Sequence, residues 1–158
     1  MTMATPTRSN IRPRYLLDTN ICIYAMNRNI GVLRHFKQHG MDAMAISSLV
    51  LGELAYGVAK SEHKEKNTAA LRRFQAGFTV LPWDETAMWH YGENFHRLKS
   101  TGRKIGEVDL LLGCQALGLD MIFVTNNTRE FERIEGLKLE NWVLDSVQHR
   151  AINKEAGE

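Results

Sequence analysis

Tyr15-Leu16-Leu17-Asp18-Thr19-Asn20-Ile21-Cys22-Ile23-Tyr24-Ala25 is the stretch whose reading decides the fold. The short apolar run before Asp18 suits a strand buried on both faces. The polar Asp18-Thr19-Asn20 that follows can cap a helix running through Ile21, Ile23, Tyr24 and Ala25. A strand feeding directly into a helix opens a βα unit, and the same pattern recurs downstream. Ala43-Met44-Ala45-Ile46 leads into Ser47-Ser48 and a helix over 49–60, while Met121-Ile122-Phe123-Val124 leads into the polar turn Thr125-Asn126-Asn127-Thr128. Between these lie a helical period in Val32, Leu33 and Phe36 stopped by Gly40, and a charged helix over 62–74 that keeps Ala69, Ala70, Leu71 and Phe74 as its stripe. Phe78 to Leu81 reads as a strand ended by Pro82. Asp84 caps a long helix closed by Gly102, 108–119 is helical again, and a fifth short strand is expected over 139–143. Strands that are short continuous apolar runs, alternating with helices, imply an α/β three-layer sandwich with a short parallel sheet flanked by helices. The helix over 49–60 is apolar nearly all round except for Glu53, which predicts burial on most of its sides.

The chain has 158 residues, 20 basic and 18 acidic, and is 44% hydrophobic, which suits a single domain with a core large enough to need no disulfide or structural metal. Residues 1–13 read as a loose basic arm, 14–145 as the folded domain and 146–158 as a polar tail. Cys22 and Cys114 match no zinc spacing and are expected as core residues in a reducing, cytoplasmic setting. The longest apolar stretch, 110–119, is interrupted by Gln115 and is far too short to span a membrane. Arg8, Arg12 and Arg14 give residues 1–14 a charge of +3, so the remainder carries −1 of the net +2. Binding of nucleic acid by a strongly basic body is therefore excluded, and any such contact must be local.

In open parallel sheets ligands bind beyond the carboxyl ends of the strands, where Asp18, Ser47 and Asn126-Asn127 fall. Glu53 and Asp109 join them as isolated carboxylates in apolar helical stretches, since a buried carboxylate needs a cation, a hydrogen-bond partner or water. Each has an ordinary structural reading. Asp18 can be a helix cap, Asp109 can complement the dipole of its helix, and the asparagines can shape a turn. Taken together, Asp and Glu oxygens without Cys or His select a hard ion, Mg²⁺ or Mn²⁺, and with it phosphoryl-transfer chemistry. Other candidates are weaker. His35 and His39 have metal-pair spacing but lack a third ligand, and His90 and His96 lie on a mostly solvated helix. Lys60, Lys64, Lys66, Arg72 and Arg73 read as a solvated helical face, with a phosphate track as the alternative. No phosphate-binding glycine loop or Gly-x-Ser-x-Gly elbow occurs.

In order and spacing, Tyr15-Leu16-Leu17-Asp18-Thr19-Asn20, Ile46-Ser47-Ser48 with Gly52-Glu53-Leu54 and Tyr56-Gly57, Leu81-Pro82-Trp83-Asp84, Ile105-Gly106 with Asp109, and Val124 through Phe131 resemble a PIN-domain ribonuclease, more narrowly a VapC-type toxin of bacterial toxin–antitoxin pairs. The resemblance spans residues 14–142. It implies a Mg²⁺-dependent endoribonuclease that cleaves cellular RNA and slows translation until a cognate antitoxin protein blocks it, with Mn²⁺ able to substitute. It assigns Asp18, Glu53 and Asp109 to the acidic metal site and Thr19 and Ser47 to neighbouring polar positions. Where the family has a further acid after the fourth strand, this chain has Asn126-Asn127, whose neutral amide oxygens would hold a second ion less firmly. Glu107-Val108 also replaces a Pro and a polar residue often found before Asp109.

A PIN-fold nucleic-acid-binding module and a DNA-directed nuclease are the alternatives. The three carboxylates favour an enzyme over the binding module, which has no need of them. The resemblance further implies a homodimer or a toxin–antitoxin hetero-oligomer and no membrane partner. Ile21, Ile23, Tyr24, Val32 and Phe36 offer apolar surface on which an amphipathic antitoxin segment could pack, unless they simply complete the core.

Overall fold

A computed structural model of the chain describes residues 13–144. The basic arm (apart from Pro13) and the polar tail expected at the two ends lie outside the described residues. Strands β1 (Tyr15–Leu17), β2 (Met44–Ser47), β3 (Thr79–Leu81), β4 (Ile122–Val124) and β5 (Leu139–Glu140) form one sheet in the order β3-β2-β1-β4-β5, with every neighbouring pair parallel. Helices α1 (Thr19–Met26), α2 (Ile30–His39), α3 (Ser48–Ala59) and α4 (Lys64–Gln75) precede β3. Helices α5 (Met88–Ser100) and α6 (Glu107–Gly118) connect β3 to β4, and α7 (Thr128–Phe131) follows β4.

The chain moves outward from β1 to β2 to β3 and then returns across to β4. Because parallel crossovers are right-handed, this reversal puts the first helix group and the α5–α6 pair on opposite faces, as a three-layer sandwich requires. It also creates a topological switch point between β1 and β4, where the two strands lead away in opposite directions. The central strands are the apolar runs read from the sequence. Leu16, Leu17, Ile46, Phe123 and Val124 are fully buried, and Cys22 and Cys114 are buried free thiols among them.

Three local expectations are corrected. Helix α3 buries only Val50 and Leu54, and Tyr56 is 67% exposed. One stripe of α3 suffices to cover β2, α1 and α4 flank it, and no described element covers its outer side. Strand β5 ends at Glu140, because Trp142 turns inward to a site stacked by His35 (ring centroids 4.7 Å apart) and edged by Tyr15 (5.0 Å). His35 and His39 are therefore aromatic packing partners of Trp142. Asp84 caps a short 3-10 turn, Glu85–Ala87, that runs on into α5; its Oδ1 accepts from the Thr86 amide (3.0 Å).

Candidate active site

The first residue after β1 is Asp18, at the switch point. Its amide donates to the Val124 carbonyl of β4 (2.9 Å), which fixes the backbone across the two strands. Both carboxylate oxygens are engaged. Oδ1 accepts from the Thr19 amide (2.7 Å) as the cap of α1, and Oδ2 accepts from the Thr125 hydroxyl (2.8 Å), which β4 delivers from the other side of the switch. Asn20 Nδ2 adds a longer contact to Oδ2 at 3.3 Å. Asp18 is thus a helix cap whose second oxygen belongs to the crevice. The Thr19 hydroxyl donates to Oε2 of Glu53, so α3 contributes its carboxylate to the same place.

From the opposite layer, Gly106 precedes α6 and Asp109 lies in its first turn. Its carboxyl is pushed up to about 6, first by burial and then by repulsion from Asp18, Glu130 and Glu53. Burial also raises Asp18. The Thr125 hydroxyl and the Thr19 amide oppose that rise, while Glu53 and Glu130 add to it. Mutual electrostatic influence of this kind is what acids lying near one another exert.

A fourth acid, Glu130, which nothing in the sequence marks, also borders the site. Asn127 Nδ2 donates to its Oε2 (2.7 Å) and the Gly106 amide to its Oε1 (3.2 Å), so one side chain ties α7 to the start of α6. The sequence reading found only asparagines after the fourth strand. The acid on that side is carried by α7, one turn beyond Asn127. What hid it was the helix itself, since Thr128–Phe131 is a single turn with no periodicity to detect. Thr125 has the sequence context of an ordinary turn residue, yet it is fully buried and bonded to Asp18.

The remaining candidates separate. Asn127 serves Glu130, whereas the Asn126 side chain accepts from Asn141 Nδ2 (3.2 Å) near β5. Buried Ser47 caps α3 by accepting from the Leu49 amide (3.1 Å). Among the described residues, no three His, Cys, Asp or Glu side chains close around a single point as a metal cage. The donor set still fits a hard cation. Its acids are oxygen ligands, burial and mutual repulsion raise Asp18 and Asp109, and a bound cation would relieve that repulsion.

Residues 15–137 match the PIN domain, and the chain belongs to that family, whose ribonucleases are metal-dependent. Within it, the chain is similar to proteins named VapC ribonucleases. The chain is 39% identical over 131 residues to Ribonuclease VapC2 of Haemophilus influenzae, covering 82% of this chain and 98% of the relative. Identity is also 39%, over 129 residues and with the same coverage, to the tRNA(fMet)-specific endonuclease VapC of Shigella flexneri. The crystal structure of DNA-bound VapBC from Salmonella typhimurium superposes with a TM-score of 0.78 at 35% identity, covering 82% of this chain and 98% of that one.

Beside the acids runs an open groove of about 240 Å³ between α1, α3 and α4, lined by Thr19, Ile23, Met26, Glu53, Leu54 and Leu71 among others. Of the apolar residues proposed as partner surface, Ile21 and Val32 are fully buried core, Tyr24 and Phe36 pack partly buried against that core, and Ile23 is 45% exposed in this groove. Through Val58 and Leu71 the groove continues into a wider one of about 890 Å³ toward β3.

Proposed function

We propose that this chain is a Mg²⁺-dependent endoribonuclease toxin that cleaves cellular RNA in the cytoplasm, thereby slowing translation, and that a cognate antitoxin protein silences it. The observation that carries this reading is the pairing of Asp18 and Glu53 through Thr19 at the β1–β4 switch point, with Asp109 and Glu130 brought together from the opposite layer at Gly106. These four acids would hold the ion. Once bound, Mg²⁺ supplies a water of lowered pKa and neutralises charge on the phosphodiester. The protein's own part is positional. Thr19 and Thr125 lock both oxygens of Asp18, Thr19 orients Glu53, and Asn127 with the Gly106 amide orients Glu130. The groove at Ile23 and Leu54 ends on Thr19 and Glu53, so an apolar segment lying in it would also shut the site. Exposed Met88, Trp89 and Phe95 on α5 supply a surface for self-association.

The deciding experiment compares the parent with Asp18→Asn on RNA and DNA oligonucleotides, with Mg²⁺, with Mn²⁺ and with EDTA. RNA cleavage by the parent alone, stopped by EDTA, is expected, together with growth arrest on expression that the adjacent small gene relieves. Equal cleavage by Asp18→Asn, or cleavage persisting in chelator, overturns the metal mechanism. Cleavage of DNA only would replace the substrate.

A further inference from the structure

An acidic centre repels the polyanion it cuts, and outside residues 1–14 this chain carries a net charge of −1. Local cations must therefore bring RNA to the site. Resting on the ribonuclease reading above, we propose that the loop 101–106, through Arg103 and Lys104, is a clamp for an RNA backbone phosphate next to the one cleaved.

The loop's placement is fixed by its backbone. Helix α5 ends at Ser100, Gly102 with a φ of +68° turns the chain just beyond it, and the Arg103 amide donates back to the Leu98 carbonyl (2.9 Å). The Lys104 carbonyl then accepts from Arg133 Nη1 (2.9 Å), and the Arg133 carbonyl accepts in turn from Arg97 Nη2 (2.6 Å). Two residues on, the Gly106 amide donates to Glu130 Oε1, and a β-carbon on Gly106 would lie 3.7 Å from Oδ2 of Asp109. Gly106 thus stands directly against two of the four acids. Lys104, two residues away along the chain, has its backbone within about 7 Å of Gly106.

Among the described residues, no side-chain hydrogen bond or ion pair engages Arg103 or Lys104. Arg103 and Lys104 are exposed, and among the described residues the one ion pair is Lys138 with Asp120. The basic residues of α4 are different. Lys64 and Arg72 line the wide apolar groove toward β3 and not the narrower one beside Glu53, which α4 lines with Asn67, Ala70 and Leu71, and among the described residues no hydrogen bond ties that helix to the acids. Nucleobases play no part in such a contact, so the clamp sets affinity and register on the phosphate chain but not sequence choice.

The test uses a single-stranded RNA oligonucleotide that the parent cleaves. For Arg103→Ala/Lys104→Ala, KM should rise about tenfold with kcat held within about twofold. In an Asp18→Asn background, anisotropy with the same RNA should show the matching loss of affinity. The slope of log affinity against log salt should fall by about 0.7, one single-strand phosphate's worth. The charge-preserving Arg103→Lys/Lys104→Arg should restore binding, and Arg72→Ala/Arg73→Ala on α4 should leave it unchanged. Unaltered KM and salt slope in the loop variant overturn the clamp while leaving the nuclease intact. An equal loss in the α4 variant overturns it in favour of diffuse charge attraction. Absence of cleavage by the parent is a different failure, that of the ribonuclease reading itself.

Discussion

Helices α3 and α6 are of equal length, both are rich in apolar residues and each carries one acid of the site, yet they end in opposite environments. Helix α6 buries Leu110, Leu112, Gly113, Cys114, Gln115 and Ala116, whereas α3 buries Val50 and Leu54 alone. The difference lies in what surrounds them. Helix α6 has β4 beneath it and α5 and α7 alongside, while α3 has β2 beneath it, α1 and α4 at its flanks, and no described element over its outer side. An apolar composition therefore signals burial in the functional assembly, which for α3 includes the partner proposed above.

The strongest way to break this comparison is to add volume at α6. A β-carbon on Gly113 would meet Ile134 Cδ1 at 2.4 Å and Leu137 at 3.3 Å, and Ile134 is only 2% exposed. Gly113→Val should cost about 3 kcal/mol and lower the melting temperature by about 10 °C, read by calorimetry. A melting point unchanged by this substitution would show that α6 packs more loosely than its burial implies.

The next effect belongs to α3's groove. Ile23→Gln removes an exposed apolar side chain from the groove wall, so the stability of the isolated protein should stay within about 0.5 kcal/mol. Affinity for the antitoxin should fall by about 2 kcal/mol, roughly thirtyfold, in a calorimetric titration. Unchanged affinity would move the partner off this groove.

What was legible in the sequence follows the same division. The order of strands and helices could be read because the strands are short apolar runs ended by capping or breaking residues, as at Leu17-Asp18, Ile46-Ser47 and Leu81-Pro82. Asp18 could be picked out because it follows the first strand directly, and Glu53 and Asp109 because each is an isolated carboxylate in an apolar helical stretch. Glu130 could not, since it sits among Arg129, Glu132 and Arg133, where one more charge carries no signal. Only the hydrogen bonds from Asn127 and Gly106 distinguish it. The exposure of α3 was equally hidden, because helical periodicity reports which residues are apolar and not what the rest of the chain brings to cover them.

The two acids also sharpen the comparison through pH. Asp109 has a folded-state pKa of about 6 against an ordinary 3.8, so the folded protein holds the extra proton between those values. Its stabilising contribution is complete below about pH 4 and is lost as pH rises through about 6. With solvent screening the loss is on the order of 1 kcal/mol, and Asp18, also raised, changes in the same direction. Metal-free protein should therefore melt at a lower temperature at pH 7 than at pH 5. Asp109→Asn should flatten that dependence, and saturating Mg²⁺ should reverse it, because the ion binds the deprotonated acids. A metal-free melting curve that is flat across this range, or steeper in Asp109→Asn, would show that the acids do not share one crevice.

The smallest effect tests α3's open face in the free protein. Gly52 is exposed one turn before Tyr56, and a β-carbon there would have no atom within 4 Å. Glycine inside a helix is unfavourable relative to alanine because it leaves more backbone entropy to be lost on folding. Gly52→Ala should therefore stabilise the isolated protein by about 0.7 kcal/mol, a gain that denaturant titration can detect against Gly113→Val, where added carbon has the opposite sign. If the partner covers this stripe closely, the same methyl should weaken the complex while strengthening the free chain, so the two measurements must diverge. Should Gly52→Ala destabilise the free protein, something already packs against α3 in the absence of a partner. The contrast between the two helices would then have to be explained within the chain itself.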